Sequence, residues 1–185
     1  CPFNCSYCLS STTDNVRYFS MEQVKKDLLF FIENNVDLVK FVDRTFNANK
    51  KRTKDIFKFL IENNEDTTFH FEIAADLFED DMLQLLKKVP DDWFRFEIGV
   101  QSTHEKTIQA VDRKMNFSQV VKNVSKLREN NNINLHLDLI AGLPYEDYSL
   151  FQKSFNEVYD LNPHDLQLGF LKLLKGSKIR REAEK

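Results

Sequence analysis

No cysteine occurs after residue 8 of this 185-residue chain, and only three occur up to it: Cys1, Cys5 and Cys8. An odd number packed so closely excludes a disulfide framework, which would spread even numbers of cysteines through a secreted chain. Long apolar runs are missing too. Stretches such as "DLLFFI" and "LDLIAGL" fall far short of the roughly 20 residues that cross a bilayer, and no signal-peptide pattern opens the chain. Basic excess is absent, since 26 Lys+Arg face 29 Asp+Glu for a net charge of -3, so neither nucleic acid nor an anionic membrane is indicated as a partner. There is no Gly/Ser/Pro linker and no low-complexity segment. These absences lead to the expectation of one soluble, cytoplasmic domain spanning 1–185, with metal or redox chemistry left for the cysteines.

What is present is a regular alternation of helical and extended patterns. "SMEQVKKDLLFFIENN" reads as a helix, with Ser20 as cap, Gln23 at the capping-box position and Val24, Leu28, Phe31 and Ile32 as its buried stripe. The strand "DLVKFVD" follows. Helix "KRTKDIFKFLIENN" precedes strand "TFHFEIAA", and "DDMLQLLKKV" precedes "WFRFEIGVQS". "HEKTIQAV" and "FSQVVKNVSKLREN" lead into "INLHLDLIAG", then "YSLFQKSFNEVY" leads into "DLQLGFLKLL". Five strands separated by helices imply parallel β/α units with right-handed crossovers.

The strands alternate in polarity. Phe94, Phe96, Ile98 and Val100 point opposite to Arg95, Glu97, Gly99 and Gln101; Leu135, Leu137 and Leu139 oppose His136 and Asp138; Phe69, Phe71 and Ile73 oppose His70 and Glu72. Parallel strands covered by helices on both faces are nearly continuous in apolar residues. One polar face therefore argues for an α/β barrel or partial barrel with ligand-binding strand ends. Two alternatives stand beside it: a structural ion-pair network on that face, and a doubly wound sheet. The run "KKRTK" at 50–54 reads as a solvated face, the 17 phenylalanines as core, and His104 and His164 as surface residues.

Cys1, Cys5 and Cys8 form a C-x3-C-x2-C loop. Thiolates at that spacing suit iron–sulfur or zinc. No histidine follows at zinc-finger spacing and no fourth cysteine exists, so one coordination position is left open. This loop, with Tyr7 before its last cysteine, resembles that of the radical S-adenosylmethionine (SAM) enzymes. "EIGVQS", Arg113 and "LDLIAGLP" resemble the branch holding oxygen-independent coproporphyrinogen oxidases, methylthiotransferases and cobalamin-dependent members such as magnesium-protoporphyrin ester cyclase.

The resemblance implies a 4Fe–4S cluster on Cys1, Cys5 and Cys8, with its fourth iron chelated by SAM. It also implies reductive cleavage of SAM to a 5′-deoxyadenosyl radical, and SAM contacts from Glu72, Gln101, Arg113 and Asp138. The family's glycine-rich turn after the second strand is replaced here by "VDRTFN", where Asp43 is expected to take over. The implied fold is a partial (β/α)6 TIM-like barrel. Its first strand, which precedes the cysteine loop in that family, is expected upstream of Cys1 in a longer protein, as is any cobalamin domain. With that strand absent, the loop is expected to hold neither cluster nor SAM by itself. The implied partners are a small-molecule or cofactor-like substrate and an external electron donor such as flavodoxin or ferredoxin. The rivals are a non-catalytic iron–sulfur or zinc-binding module and, among enzymes, a tRNA methylthiotransferase.

Overall fold

The computed structural model describes residues 1–13 and 16–183. Its five strands are β1 (Leu38–Lys40), β2 (Thr68–Ile73), β3 (Phe94–Gln101), β4 (Asn134–Ala141) and β5 (Asp165–Phe170). All neighbours pair in parallel, in the order β1-β2-β3-β4-β5. Each crossover thus moves one place in the same direction. A doubly wound sheet reverses its order and a barrel does not, so the unbroken order identifies a partial barrel.

The helices are α1 (Met21–Glu33), α2 (Lys50–Asn63), α3 (Asp80–Leu86), α4 (Glu105–Ala110), α5 (Phe117–Asn130), α6 (Tyr148–Tyr159) and α7 (Lys178–Ala183). Their starts follow from local chemistry. Ser20, Asn49, Asn116 and Asp147 each accept a hydrogen bond from the backbone N–H three residues on, at 3.0–3.1 Å, which satisfies a donor the helix leaves unpaired. The capping box at Ser20 is half made, because the Gln23 side chain donates to Asp27 Oδ1 at 2.6 Å instead of reaching back. The charge run at 50–54 is absorbed by ion pairs: Lys51 with Asp55 at 2.7 Å, Lys50 with Glu79 and Lys54 with Asp81.

Two expectations needed adjustment. β1 ends at Lys40, short of "DLVKFVD", because Phe41 turns onto the core and stacks on Phe71 at 4.8 Å. The short helix α7, which the sequence pattern did not predict, starts after Ser177, whose hydroxyl accepts from Arg180 N–H at 3.4 Å, and lies against the cysteine loop.

One face of the sheet carries the core. Phe69, Phe71, Phe94, Phe96, Leu135 and Leu137 are fully buried under Leu28, Phe57, Leu60, Leu86 and Val124 from the helices. Phe57 of α2 meets four rings, Phe46, Phe71, Phe94 and Phe96, at centroid distances of 5.1–5.9 Å. Such contacts are dense in dispersion and in favourable ring geometry. Phe57→Ala should therefore cost about 3–5 kcal/mol in urea-unfolding free energy. Phe30→Ala, at a side chain 60% exposed, should change it by less than about 0.5 kcal/mol. Equal effects at the two positions would show that this cluster is not the core.

Candidate functional site

The other face of the sheet is polar and divides into two parts. Near the strand starts, Glu97 accepts from Lys40 at 3.1 Å and lies 2.9 Å from His70 Nε2. Burial opposes ionisation of Glu97, yet these two partners outweigh it and hold the carboxyl below its usual range. Arg95 is exposed. This part of the face is satisfied by the chain's own groups, as a structural ion-pair network would be.

Nearer the strand ends the accounting fails. Gln101 Oε1, Arg113 Nε, His136 Nε2 and Asp138 Oδ1 are all buried without a hydrogen-bond partner. His136 Nε2 stands 3.1 Å from Asp138 Oδ1, but the alignment makes no hydrogen bond. Burial, then the nearby Glu97, raise the Asp138 pKa from 3.8 to about 6; Glu72 adds to this, and His136 only partly offsets it. Buried polar atoms left unpaired are costly, and several in one place mark where a ligand with complementary groups would bind.

Gln101, Arg113 and Asp138 line a cleft of about 400 Å³ whose far wall is the cysteine loop. Cys1, Cys5 and Cys8 all face it with free thiols, together with Glu72, Glu97, Gly99, Gln101, Arg113 and Asp138. The loop is pinned at its middle. Ser6 N–H donates to Val111 O at 2.9 Å, and Ser6 O accepts from Ile179 N–H of α7 at 3.0 Å. Tyr7 packs on the buried Val111, Leu143 and Ile179. Arg113 ties the loop to the sheet: its guanidinium donates to Gly99 O, to Tyr7 Oη at 3.4 Å and to Cys5 Sγ at 3.7 Å. Burial opposes that charge, but Tyr7 and Cys5 beside it raise the Arg113 pKa. Burial likewise drives the Tyr7 phenol well above its ordinary range, so Tyr7 stays neutral.

The backbone is shaped for this packing. Gln101 sits at φ 74°, in the left-handed region a residue with a side chain seldom enters, and the β3–β4 register shifts between Gly99 and Gln101. A Cβ on Gly99 would lie 2.3 Å from Gln101 Nε2 and 3.6 Å from Arg113 Nη2. A side chain there would push the Gln101 amide aside, so glycine leaves the room that the Gln101 and Arg113 side chains occupy over the strand.

Of the residues singled out in the sequence, the cleft brings together Cys1, Cys5, Cys8, Glu72, Gln101, Arg113 and Asp138. Asp43 is not among its lining residues. It lines a separate cavity of about 370 Å³ with Phe19, Leu28, Phe41 and Phe46. From the same turn, Arg44 and Thr45 reach the cleft: Arg44 pairs with Glu72 at 3.2 Å, and Thr45 Oγ1 lies 3.3 Å from Cys1 Sγ. Sequence reasoning missed Arg44, Thr45 and the role of Gly99. A glycine interrupting a strand was the one available signal.

Three free thiols lining one cleft are soft donors of the kind that suit an iron–sulfur cluster or zinc. Among the described residues, no group of three or more His, Cys, Asp or Glu side chains is gathered closely enough to hold a single metal ion.

A family model, "Radical SAM superfamily", matches residues 1–158. A Bacillus subtilis protein of uncharacterised function, YtqA, is 31% identical over 111 residues, covering 60% of this chain and 34% of YtqA. The oxygen-independent coproporphyrinogen-III oxidase-like protein HemZ of the same organism is 28% identical over 110 residues, covering 60% of this chain and 22% of HemZ. The matched part of the chain thus spans 34% and 22% of these relatives' lengths. Among solved structures, the radical S-adenosylmethionine methyltransferase TsrM from Kitasatospora setae, with cobalamin and a [4Fe-4S] cluster bound, superposes with a TM-score of 0.84 at 14% identity, covering 98% of this chain and 37% of TsrM. That likeness is one of fold.

The Asp138 shift yields a signed prediction. A carboxyl whose folded pKa is raised favours folding below pH 4 relative to neutral pH, and that advantage is lost as pH rises towards 6. Asp138→Asn removes the charge, so the variant should be more stable than the wild type at pH 7.5 by on the order of 2–3 kcal/mol, with the difference vanishing near pH 4. Urea unfolding at both pH values checks this, and a pH-independent difference would show the carboxyl to be unperturbed.

Proposed function

The chain belongs to the radical SAM superfamily, and on that premise we propose that Cys1, Cys5 and Cys8 hold a 4Fe–4S cluster while Glu72, Gln101, Arg113 and Asp138 bind SAM beside it. The observation that carries this reading is the one cleft onto which three free thiols open together with Gln101, Arg113 and Asp138, each of which keeps one buried polar atom without a hydrogen-bond partner. When bound, the cluster supplies the electron for reductive cleavage of the SAM sulfonium.

The chain's own residues bind and orient. The Asp138 carboxylate, carrying a buried oxygen with no donor, accepts from ligand hydroxyl or ammonium groups. Gln101 offers its unpaired Oε1 in the same way, and Glu72 faces the same space with Arg44 across it. Arg113 presents a permanent cation to a carboxylate, and its bonds to Gly99, Tyr7 and Cys5 place that cation between the sheet and the cysteine loop. Asp43 lies on the cavity behind β1, so within "VDRTFN" Arg44 and Thr45 are the residues assigned to the cleft.

A finer reading, in which this domain serves a cobalamin-dependent methyl transfer or oxidoreduction, draws support from the fold likeness to TsrM; a cobalamin site would lie outside these 185 residues. A flavodoxin- or ferredoxin-type donor and a small-molecule substrate complete the proposal. The net charge of -3 weighs against tRNA as substrate, since phosphate contacts need clustered cations.

Anaerobic reconstitution of the full-length protein should load about four irons per chain, and Cys5→Ser should abolish loading. Iron retention in that variant, or uptake of zinc alone by the wild type, would sink the reading. Asp138→Ala should weaken SAM binding by about 1.5–3 kcal/mol with the cluster still assembled, measured by equilibrium binding. Undiminished affinity in a loaded variant would remove Asp138 from the SAM site.

A further inference from the structure

Behind Gln101 lies a buried hydrogen-bond network that none of the proposed binding steps uses. Ser102 and Ser154 are wholly buried, one directly after β3 and the other in α6. Both hydroxyls donate to one oxygen, Oε1 of Glu146, with Ser154 at 3.0 Å. Glu146 stands in the loop between β4 and α6, next to Tyr145, which is itself at φ 62°. Having given their protons to Glu146, the two hydroxyls are left as acceptors. Ser102 Oγ accepts from His104 N–H at 3.0 Å, and Ser154 Oγ accepts from Thr103 N–H and Thr103 Oγ1, both at 3.1 Å.

The direction of every bond is thereby set by one carboxylate. The two backbone N–H groups that follow Ser102 are satisfied only through hydroxyls that Glu146 orients. They fix the path of the chain just past Gln101, a residue in a left-handed conformation that persists only where its surroundings enforce it. The same network joins the end of β3, which carries Gln101, to the loop after β4, which carries Asp138.

From this geometry we infer that Glu146 is a positioning residue: through Ser102 and Ser154 it holds Gln101 in its strained conformation, with its amide in the cleft wall and in fixed relation to Asp138. The inference rests on the proposed SAM site. It goes beyond that site by assigning part of the binding geometry to a carboxylate that does not line the cleft. Other roles for Glu146 would not need both serine protons. A pure loop staple could be made by either serine alone, whereas this arrangement satisfies two successive amides on the cleft side.

The chemistry separates the variants. Glu146→Gln keeps a carbonyl Oε1 able to accept from both serines, while Glu146→Ala leaves two buried hydroxyls with no acceptor. Ser154→Ala removes the branch from Glu146 to Thr103 and the 3.4 Å contact with Ser102 but keeps the bond of Ser102 to Glu146, and serves as the milder variant should Glu146→Ala fail to fold. In the full-length, cluster-loaded protein, Glu146→Ala should raise the SAM dissociation constant roughly tenfold or more, and Ser154→Ala about threefold or more. Glu146→Gln should stay within about threefold of wild type. Iron content should be unchanged in all three. Hydrogen exchange of the Thr103 and His104 amides should accelerate in Glu146→Ala and not in Glu146→Gln, and for Ser154→Ala at Thr103 alone. If those amides lose protection while SAM affinity stays within twofold of wild type, the network is structural and the inference is overturned. If the loaded wild type binds no SAM at all, the failure belongs to the proposed function, and the inference falls with it.

Discussion

The two faces of this parallel sheet lie in different environments. Parallel sheets usually bury both faces under helices, so their strands are apolar throughout. Here Phe69, Phe71, Phe94, Phe96, Leu135 and Leu137 dry one face, while His70, Glu72, Glu97, Gln101, His136 and Asp138 alternate onto the other. Polar groups partly withdrawn from water need partners. The protein meets that requirement in one half of the face with its own side chains, through Lys40, His70 and Glu97. In the other half it leaves buried atoms without partners. That asymmetry along the strands makes one end a scaffold and the other a receptor.

The receptor end includes the cysteine loop, and its anchoring explains why the elements after β3 and β5 matter to it. Ser6 is clasped between Val111, just past α4, and Ile179 of α7, and a small apolar cluster of Val111, Leu143 and Ile179 backs Tyr7. Arg113 adds a charged tie between Gly99 and Cys5. A ligand set ordered before binding loses less conformational entropy on capture than a free one. The two ends of the chain are thus coupled through the site.

Stability and function pull apart at this end. Asp138 is held at a pKa of about 6 by burial and neighbouring carboxylates, Gln101 is strained at φ 74°, and neither would be favoured by folding alone. The Phe57-centred aromatic cluster on the opposite face supplies the surplus that lets such features persist. The Glu146 network adds local enforcement where the strain is greatest.

The period of the sequence was enough to read all five strands, helices α1 to α6 and the face on which each strand residue lies, because these depend on local alternation and capping. The cysteine spacing and the neighbours of Gln101, Arg113 and Asp138 likewise pointed to one chemistry, since such motifs are short and contiguous. The one polar face already argued for a partial barrel over a doubly wound sheet, while the strand order itself came only from tertiary pairing, because both folds share the same β/α alternation. The same holds for the division of the polar face: nothing local to Glu97 or Asp138 says which will find a lysine and which will not. Asp43 and Arg44 are adjacent in sequence, yet the turn sends Asp43 to the cavity behind β1 and Arg44 to the cleft. Glu146 was silent in the sequence for the same reason, as its partners are 44 and 8 residues away. Periodicity determines which side of an element a residue faces, but its partners are decided when distant segments are brought together by packing the core.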